Sequence, residues 1–132
     1  MKTKSVTIVT MVGVLLMISG PMLAHHGMAA FDMENLTTVK GTVTNFEFIN
    51  PHVLIYVDAV GPKGEAQHWL AENQSNNHLS RMGWTRTTLK AGDQVTIVAH
   101  RARNGGFTLE LQCKECSVLD SQGKLVVPDA PE

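Results

Sequence analysis

Apolar and polar residues alternate along five stretches of the chain, and each stretch predicts a β-strand. The stretches are 39–49, 52–60, 65–73, 94–103 and 107–113. In the second stretch, Val53, Ile55 and Val57 share one face, which we expect to be buried. Short turns rich in glycine, proline or asparagine, at 61–64 and 104–106, favour antiparallel returns between the second and third strands and between the fourth and fifth.

The first stretch changes its apolar face partway along. Val39 and Val43 share one face, whereas Phe46 and Phe48 lie on the other. A bulge or sharp bend near Thr44-Asn45 reconciles the two halves. The bent strand is then able to serve both halves of a sheet.

Between the third and fourth strands the period changes to that of a short helix. Asn76 or Asn77 is the expected N-cap, and Gly83 suits the left-handed position after the helix. Three strands, a short helix and two further strands predict an all-β fold, a small OB-like barrel. The alternative is a six- or seven-stranded sandwich, to which residues 124–127 would add a strand.

The N-terminus has the layout of a secretory signal peptide. Lys2 and Lys4 precede an apolar run at 6–18, and cleavage is expected after Ala24, although Met22 is larger than signal peptidase prefers at its position. The run is shorter than the roughly 20 residues that span a bilayer, so an uncleaved anchor is the weaker alternative. We expect a periplasmic or secreted protein with no integral membrane segment in its mature form.

These assignments divide the chain into four parts. They are a signal peptide (1–24), an N-terminal arm (25–38), the barrel (39–127) and a flexible tail (128–132). The mature 108 residues suit a single domain. Without Lys2 and Lys4, nine basic residues stand against 12 acidic ones, a charge of about −3 with no basic run. This charge excludes the electrostatic footprint of a nucleic-acid-binding protein.

Five short motifs resemble a family of small exported bacterial proteins, the domain of unknown function 6152. The motifs are Ala24-His25-His26 with Ala30-Phe31-Asp32, Gly41-Thr42-Val43 with Asn50-Pro51-His52, Trp69 with Glu72, Gly83-Trp84, and Gly92-Asp93-Gln94-Val95. Gly27 stands where the family usually has serine, and the pair Cys113/Cys116 is not typical of it. The resemblance implies export and a compact β domain, and it implies no particular reaction.

The predicted mature N-terminus is a candidate copper site. Once cleavage frees the amine of His25, that amine and the imidazoles of His25 and His26 provide the nitrogen set that Cu(II) favours. His52, at the entry of the second strand, is the third candidate metal ligand. The alternatives are a solvated N-terminus and a His52 that caps its strand through a hydrogen bond.

The other histidines give weaker signals. His68 and Glu72 share a strand face but stand roughly 13 Å apart, too far to bind one ion together. His78 and His100 have no partner that spacing reveals, so both are expected to be solvated.

Both tryptophans are expected to pack rather than to bind a ligand. Trp69 is predicted to anchor the core with a partner for its N–H group, and Trp84 to cover a barrel end. Glu72 is placed near the helix start, where a carboxylate can accept from exposed backbone amides.

Cys113 and Cys116 are the only cysteines, and an exported protein predicts a disulfide between them. Such a short loop stabilises little by chain entropy. Binding of a soft metal by the reduced pair is the alternative. A thioredoxin-like role is disfavoured, because these residues end a predicted strand rather than begin a helix.

No motif for nucleophilic or phosphate chemistry occurs in the sequence. The leading hypothesis is therefore a non-enzymatic exported barrel that binds a ligand, with copper the most concrete candidate. The competing hypothesis is an interaction or accessory module that recognises an envelope protein partner without metal.

Overall fold

The computed structural model describes residues 27–127, which contain six β-strands and one α-helix. A single 3-10 turn at Met28–Ala30 precedes the first strand. The elements are β1 (Phe31–Glu47), β2 (Leu54–Val60), β3 (Ala66–Glu72), α1 (Asn76–Arg81), β4 (Gln94–Ala102), β5 (Thr108–Glu110) and β6 (Ser117–Leu119).

Strand pairing closes the sheet into a barrel. β1 pairs antiparallel with β2 on one side and with β4 on the other, while β3 pairs in parallel with β5. The ring therefore runs β1-β2-β3-β5-β4 and returns to β1. The predicted all-β barrel is confirmed, and closure leaves few free strand edges.

The sixth strand differs from the sequence-based expectation. Within the described part of the chain, β6 lies at Ser117–Leu119 and pairs with β4, whereas in the stretch 124–127 only Leu125 pairs, in an isolated bridge to Leu119. The alternative sandwich is therefore wrong. The sequence-based prediction assigned the extra strand to residues 124–127, which are more apolar. In the structure, β6 instead pairs with the part of β4 that the short strand β5 leaves unpaired on that side.

β1 is bent where the sequence predicts a bulge. Val43 pairs with Val57 and Asn45 with Tyr56, so the register shifts at Thr44. β1 also begins at Phe31, eight residues before the predicted start at Val39. A second register irregularity between Phe31 and Leu36 hides the alternation in the sequence.

The core lies inside the ring and is built from the alternating residues of every long strand. The largest fully buried side chains are Ile55, Ile97, Leu109, Val43, Val53 and Val57. Gly41 lies where β1 pairs with Ala59 of β2 and Val95 of β4 at once. A Cβ atom at Gly41 would clash with the carbonyl oxygen of Asp58, so the close approach of β1 to β2 requires glycine here.

Helix α1 closes over the core with Leu79, which is buried. Its N-cap is Ser75, whose hydroxyl oxygen accepts from the backbone N–H of His78 at 3.3 Å. The predicted cap at Asn76 or Asn77 is therefore wrong, because both residues already lie within the helix. Gly83 has φ 93°, as its predicted left-handed position requires.

The described residues include no helix long and apolar enough to cross a membrane. The predicted signal peptide (1–24) and tail (128–132) lie outside the described residues, as do His25 and His26.

Candidate metal site

One row of five residues runs around the outside of the barrel. Strand pairing places Leu36 beside His100, His100 beside Glu110, Glu110 beside Glu72, and Glu72 beside Leu54. Paired residues project to the same side of a sheet, and the intervening positions supply the core, so this row faces outward. We call these five residues the outer row.

His100 and Glu110 are buried although they face away from the core, each being 6% exposed. The first residues of β1 cover His100, whose Nδ1 lies 2.9 Å from the carbonyl oxygen of Asp32 and 3.0 Å from that of Asn35. The expectation that His100 is solvated is therefore wrong. Its position in β4 identifies its face correctly, but only the fold shows what covers that face.

The two carbonyl contacts determine the tautomer of His100. A carbonyl oxygen only accepts hydrogen bonds, so Nδ1 must carry the proton and donate it. In the neutral ring, Nε2 then keeps its lone pair and is available as a metal ligand. A backbone carbonyl that orients one ring nitrogen is the usual support for a histidine that binds metal through the other.

Glu110 lies in an unfavourable environment for a negative charge. Burial raises the pKa of this carboxyl, and the negative charge of Glu72 beside it acts in the same direction. Two residues oppose the rise in the pKa: Gln112, whose backbone N–H donates to Oε1 at 2.9 Å and whose side chain also lowers the pKa, and His52, through its charge. The outer row therefore contains a pair of adjacent carboxyl groups with His100 beside it, and His52, which lies outside the row, is close to Glu110.

His52 lies at the β2 end of this group. Its Nδ1 is 3.1 Å from the carbonyl oxygen of Asn73 and, by the same reasoning as for His100, donates to it. The hydrogen bond matches the strand-capping alternative, and it also leaves Nε2 unprotonated in the neutral ring. His52 is half-buried and close enough to Glu110 to affect its pKa.

The predicted disulfide between Cys113 and Cys116 is present, with the Cα atoms 5.1 Å apart. The turn that carries it packs over the outer row, and Cys116 Sγ lies 3.5 Å from the carbonyl oxygen of Glu110. A ligand nitrogen of His100 and the two sulfur atoms all lie within 4.8 Å of one another. The fold thus brings together three potential soft-metal ligands, two of which are joined in a covalent bond.

The other two histidines among residues 27–127 lie elsewhere. His68 forms an exposed pair with Asp58, Nδ1 to Oδ1 2.6 Å, and His78 is exposed on α1. Glu72 belongs to the outer row, and Ser75, rather than Glu72, accepts the hydrogen bond at the start of α1.

Both tryptophans pack as predicted from the sequence. Trp69 is buried, and its Nε1–H donates to Oε1 of Gln67 at 3.1 Å. Trp84 is buried in the core cluster, with its ring 6.3 Å from that of Phe46. Neither offers an open aromatic platform for a ligand.

Sequence reasoning missed the pairing of His100 with Glu110, although one signal for it exists. A hairpin centred on Gly105 places residue 100 opposite residue 110, and the observed register has this symmetry, with Arg101 opposite Leu109 as well. The burial of the pair has no such signal, because it depends on residues 32–35 and 113–116 folding over it.

Comparison with known proteins agrees with the motifs found in the sequence. A comparison with curated proteins found no match. A family model described as "Family of unknown function (DUF6152)" matches residues 13–109, which is most of the chain. The chain therefore belongs to this family.

Proposed function

We propose that this protein is an exported, non-enzymatic β-barrel that binds copper, with His25 and His26 of the mature N-terminus as the primary ligands and His52 as the third. The observation that carries the proposal is that the root of the N-terminal arm and His52 flank the same acidic pair. Asp32 contacts His100, which is paired with Glu110, and His52 is close enough to Glu110 to affect its pKa.

The arm is anchored firmly at its root. The backbone N–H of Arg103 donates to the carbonyl oxygen of Ala30, and its Nε–H to that of Phe31, both at 2.9 Å. Phe31 is buried, whereas residues 27–30 are exposed. This anchor supports an accessible N-terminus that remains tethered beside the outer row.

The length of the arm brings His25 close to β2. His25 is five positions before Ala30, a reach of about 17 Å when extended. Ala30 immediately precedes β1, and from β1 across β4, β5 and β3 to β2 is four strand spacings, or about 19 Å along the sheet. The extended backbone thus ends about 2 Å short of β2, a distance that the side chains of His25 and His52 can span. The negative charges of Glu72 and Glu110 lie along this path and would favour a cation over a neutral ligand.

Export is part of the proposal, with the periplasm or the cell exterior as the destination. Lys2, Lys4 and the apolar run at 6–18 support it, and so does the Cys113–Cys116 disulfide, which is typical of oxidising compartments.

The test is copper titration of protein secreted by its own signal, after intact mass has identified the first residue. We expect one Cu(II) per chain. Affinity should fall at least tenfold in H25A and H26A, and also when Gly-Ser-Gly-Ser is inserted before His25, because the amine then lies away from the imidazoles. H52A should weaken binding, whereas H78A, on the exposed face of α1, is the matched control and should not.

A different first residue, or equal affinity in H25A, H26A and H78A, would overturn the copper site.

The interaction module is the second candidate, and exposed apolar side chains on the barrel, Val60 at 77% and Phe107 at 40%, favour it. A metal-free secreted protein that purifies with a stoichiometric envelope protein would support this second function.

A further inference from the structure

We propose that His100, Cys113 and Cys116 form a second, redox-gated metal site, which is closed in the disulfide form and binds Cu(I) when the two cysteines are reduced. We call it the His-Cys-Cys site. It uses none of the residues of the proposed N-terminal site, so either can exist without the other.

Geometry is the first argument. The imidazole and the two sulfur atoms lie within 4.8 Å of one another, so small movements would bring all three onto one ion. His100 is held in the ligating tautomer by the carbonyl oxygens of Asp32 and Asn35. Thiolate and imidazole are ligands that Cu(I) accepts, whereas Zn(II) would require a fourth ligand.

The scaffold of the site does not depend on the sulfur–sulfur bond. The backbone N–H of Cys113 donates to Leu111 at 2.9 Å, and that of Cys116 donates to Cys113 at 3.3 Å. The next residues form β6, which is paired with β4, the strand that carries His100. Reduction should therefore leave both thiols beside the imidazole.

The chemistry balances with a dithiol reductant of the kind that exchanges with protein disulfides. Attack by one reductant thiolate on the Cys113–Cys116 bond gives a mixed disulfide. The second reductant thiol then resolves it, which transfers two electrons and two protons and leaves two protein thiols. Binding of Cu(I) displaces the two thiol protons. When the metal is absent, exchange of the two thiols with the disulfide form of the same dithiol passes two electrons and two protons back to it, re-forms the Cys113–Cys116 bond and closes the site again.

The bond between the two sulfur atoms explains why oxidation closes the site. In the disulfide both sulfur atoms are bonded to each other, so neither is a thiolate ligand, and the single imidazole of His100 is left. The bound and free states are thus separated by a two-electron reaction rather than by a change of fold.

The experiment uses the mature H25A/H26A protein, so that copper at the N-terminus cannot contribute. Oxidised and dithiol-reduced samples are titrated anaerobically with Cu(I) against a coloured chelator. We expect one equivalent in the reduced sample and at least a hundredfold weaker binding in the oxidised one. C113S/C116S should not bind, H100Q should bind at least tenfold more weakly, and H78Q is the matched control.

X-ray absorption of the reduced, copper-loaded protein identifies the atoms bound to copper directly. This measurement needs no further variant, so the unfolding of a variant cannot affect it. Two sulfur neighbours and one imidazole nitrogen are the expected first shell of copper. Coordination by sulfur alone, or equal binding by oxidised and reduced protein, would overturn the proposal. Failure of the N-terminal site would appear only in the separate titration of the unaltered protein.

Discussion

His100 and Glu110 are directly paired across β4 and β5 on the outer face of the barrel, and both are buried. Two ionisable groups thus lie between the barrel wall and a second layer of chain, which the start of β1 and the Cys113–Cys116 turn supply. Buried polar groups are costly unless they are satisfied, so this small outer layer must be held in place by specific hydrogen bonds.

Glu110 should make stability depend on pH. Its pKa in the folded protein lies above its ordinary value of 4.5, chiefly because of burial. The folded state therefore binds this proton more tightly than the unfolded chain does. The resulting stability is fully present below the ordinary pKa and is lost as the pH rises through the folded-state value. E110Q should therefore gain stability relative to the unaltered protein as the pH rises above the ordinary pKa of 4.5.

Urea unfolding at several pH values measures this difference. E115Q, which changes an exposed carboxylate in the neighbouring turn, is the matched control and should run parallel to the unaltered protein. A difference between E110Q and the unaltered protein that stays constant with pH would contradict the assignment.

Removing the disulfide should cost little stability. The ring that Cys113 and Cys116 close is very short, so its loss should lower the free energy of unfolding by about 2 kcal/mol or less. Urea unfolding of C113S/C116S, beside the dithiol-reduced protein, checks this value. Complete unfolding of the variant would show that the bond is structural and would weaken the case for a redox gate.

G41A should destabilise the barrel at the point where β1 pairs with both β2 and β4. The added methyl group meets the backbone oxygen of Asp58, which cannot move without disturbing β2. We expect a loss of about 2 kcal/mol, typical of overpacking. G27A is the control, because nothing lies within 4 Å of that position and its φ is −71°. Equal melting temperatures for the two variants would refute this explanation.

S75A should lower the free energy of unfolding by about 1 kcal/mol, since it removes the side-chain oxygen that accepts from the N–H of His78. S80A lies in the same helix on an exposed position and should be neutral or slightly stabilising. Thermal unfolding of both distinguishes the cap from a general helix effect. The cap would be misassigned if S80A were the more damaging change.

The sequence by itself determined the approximate positions of β1 to β5, the bulge and the family. Alternation in β2 and β4, the change of face between Val43 and Phe46, and Gly83 after the helix are local signals, because side-chain direction and backbone freedom depend on a few neighbouring residues. The Cys113–Cys116 bridge was also predictable, because the sequence has only two cysteines and the expected compartment is oxidising.

Tertiary structure alone decided what lies over the outer face. The sequence predicts that residues 32–35 belong to an arm, yet they form part of β1, and the carbonyl oxygens of Asp32 and Asn35 accept hydrogen bonds from His100. The cysteines are separated by more than ten residues from that histidine, and only the pairing of β6 with β4 brings them to it. Contacts between distant segments depend on how the barrel closes, and no local pattern encodes that closure.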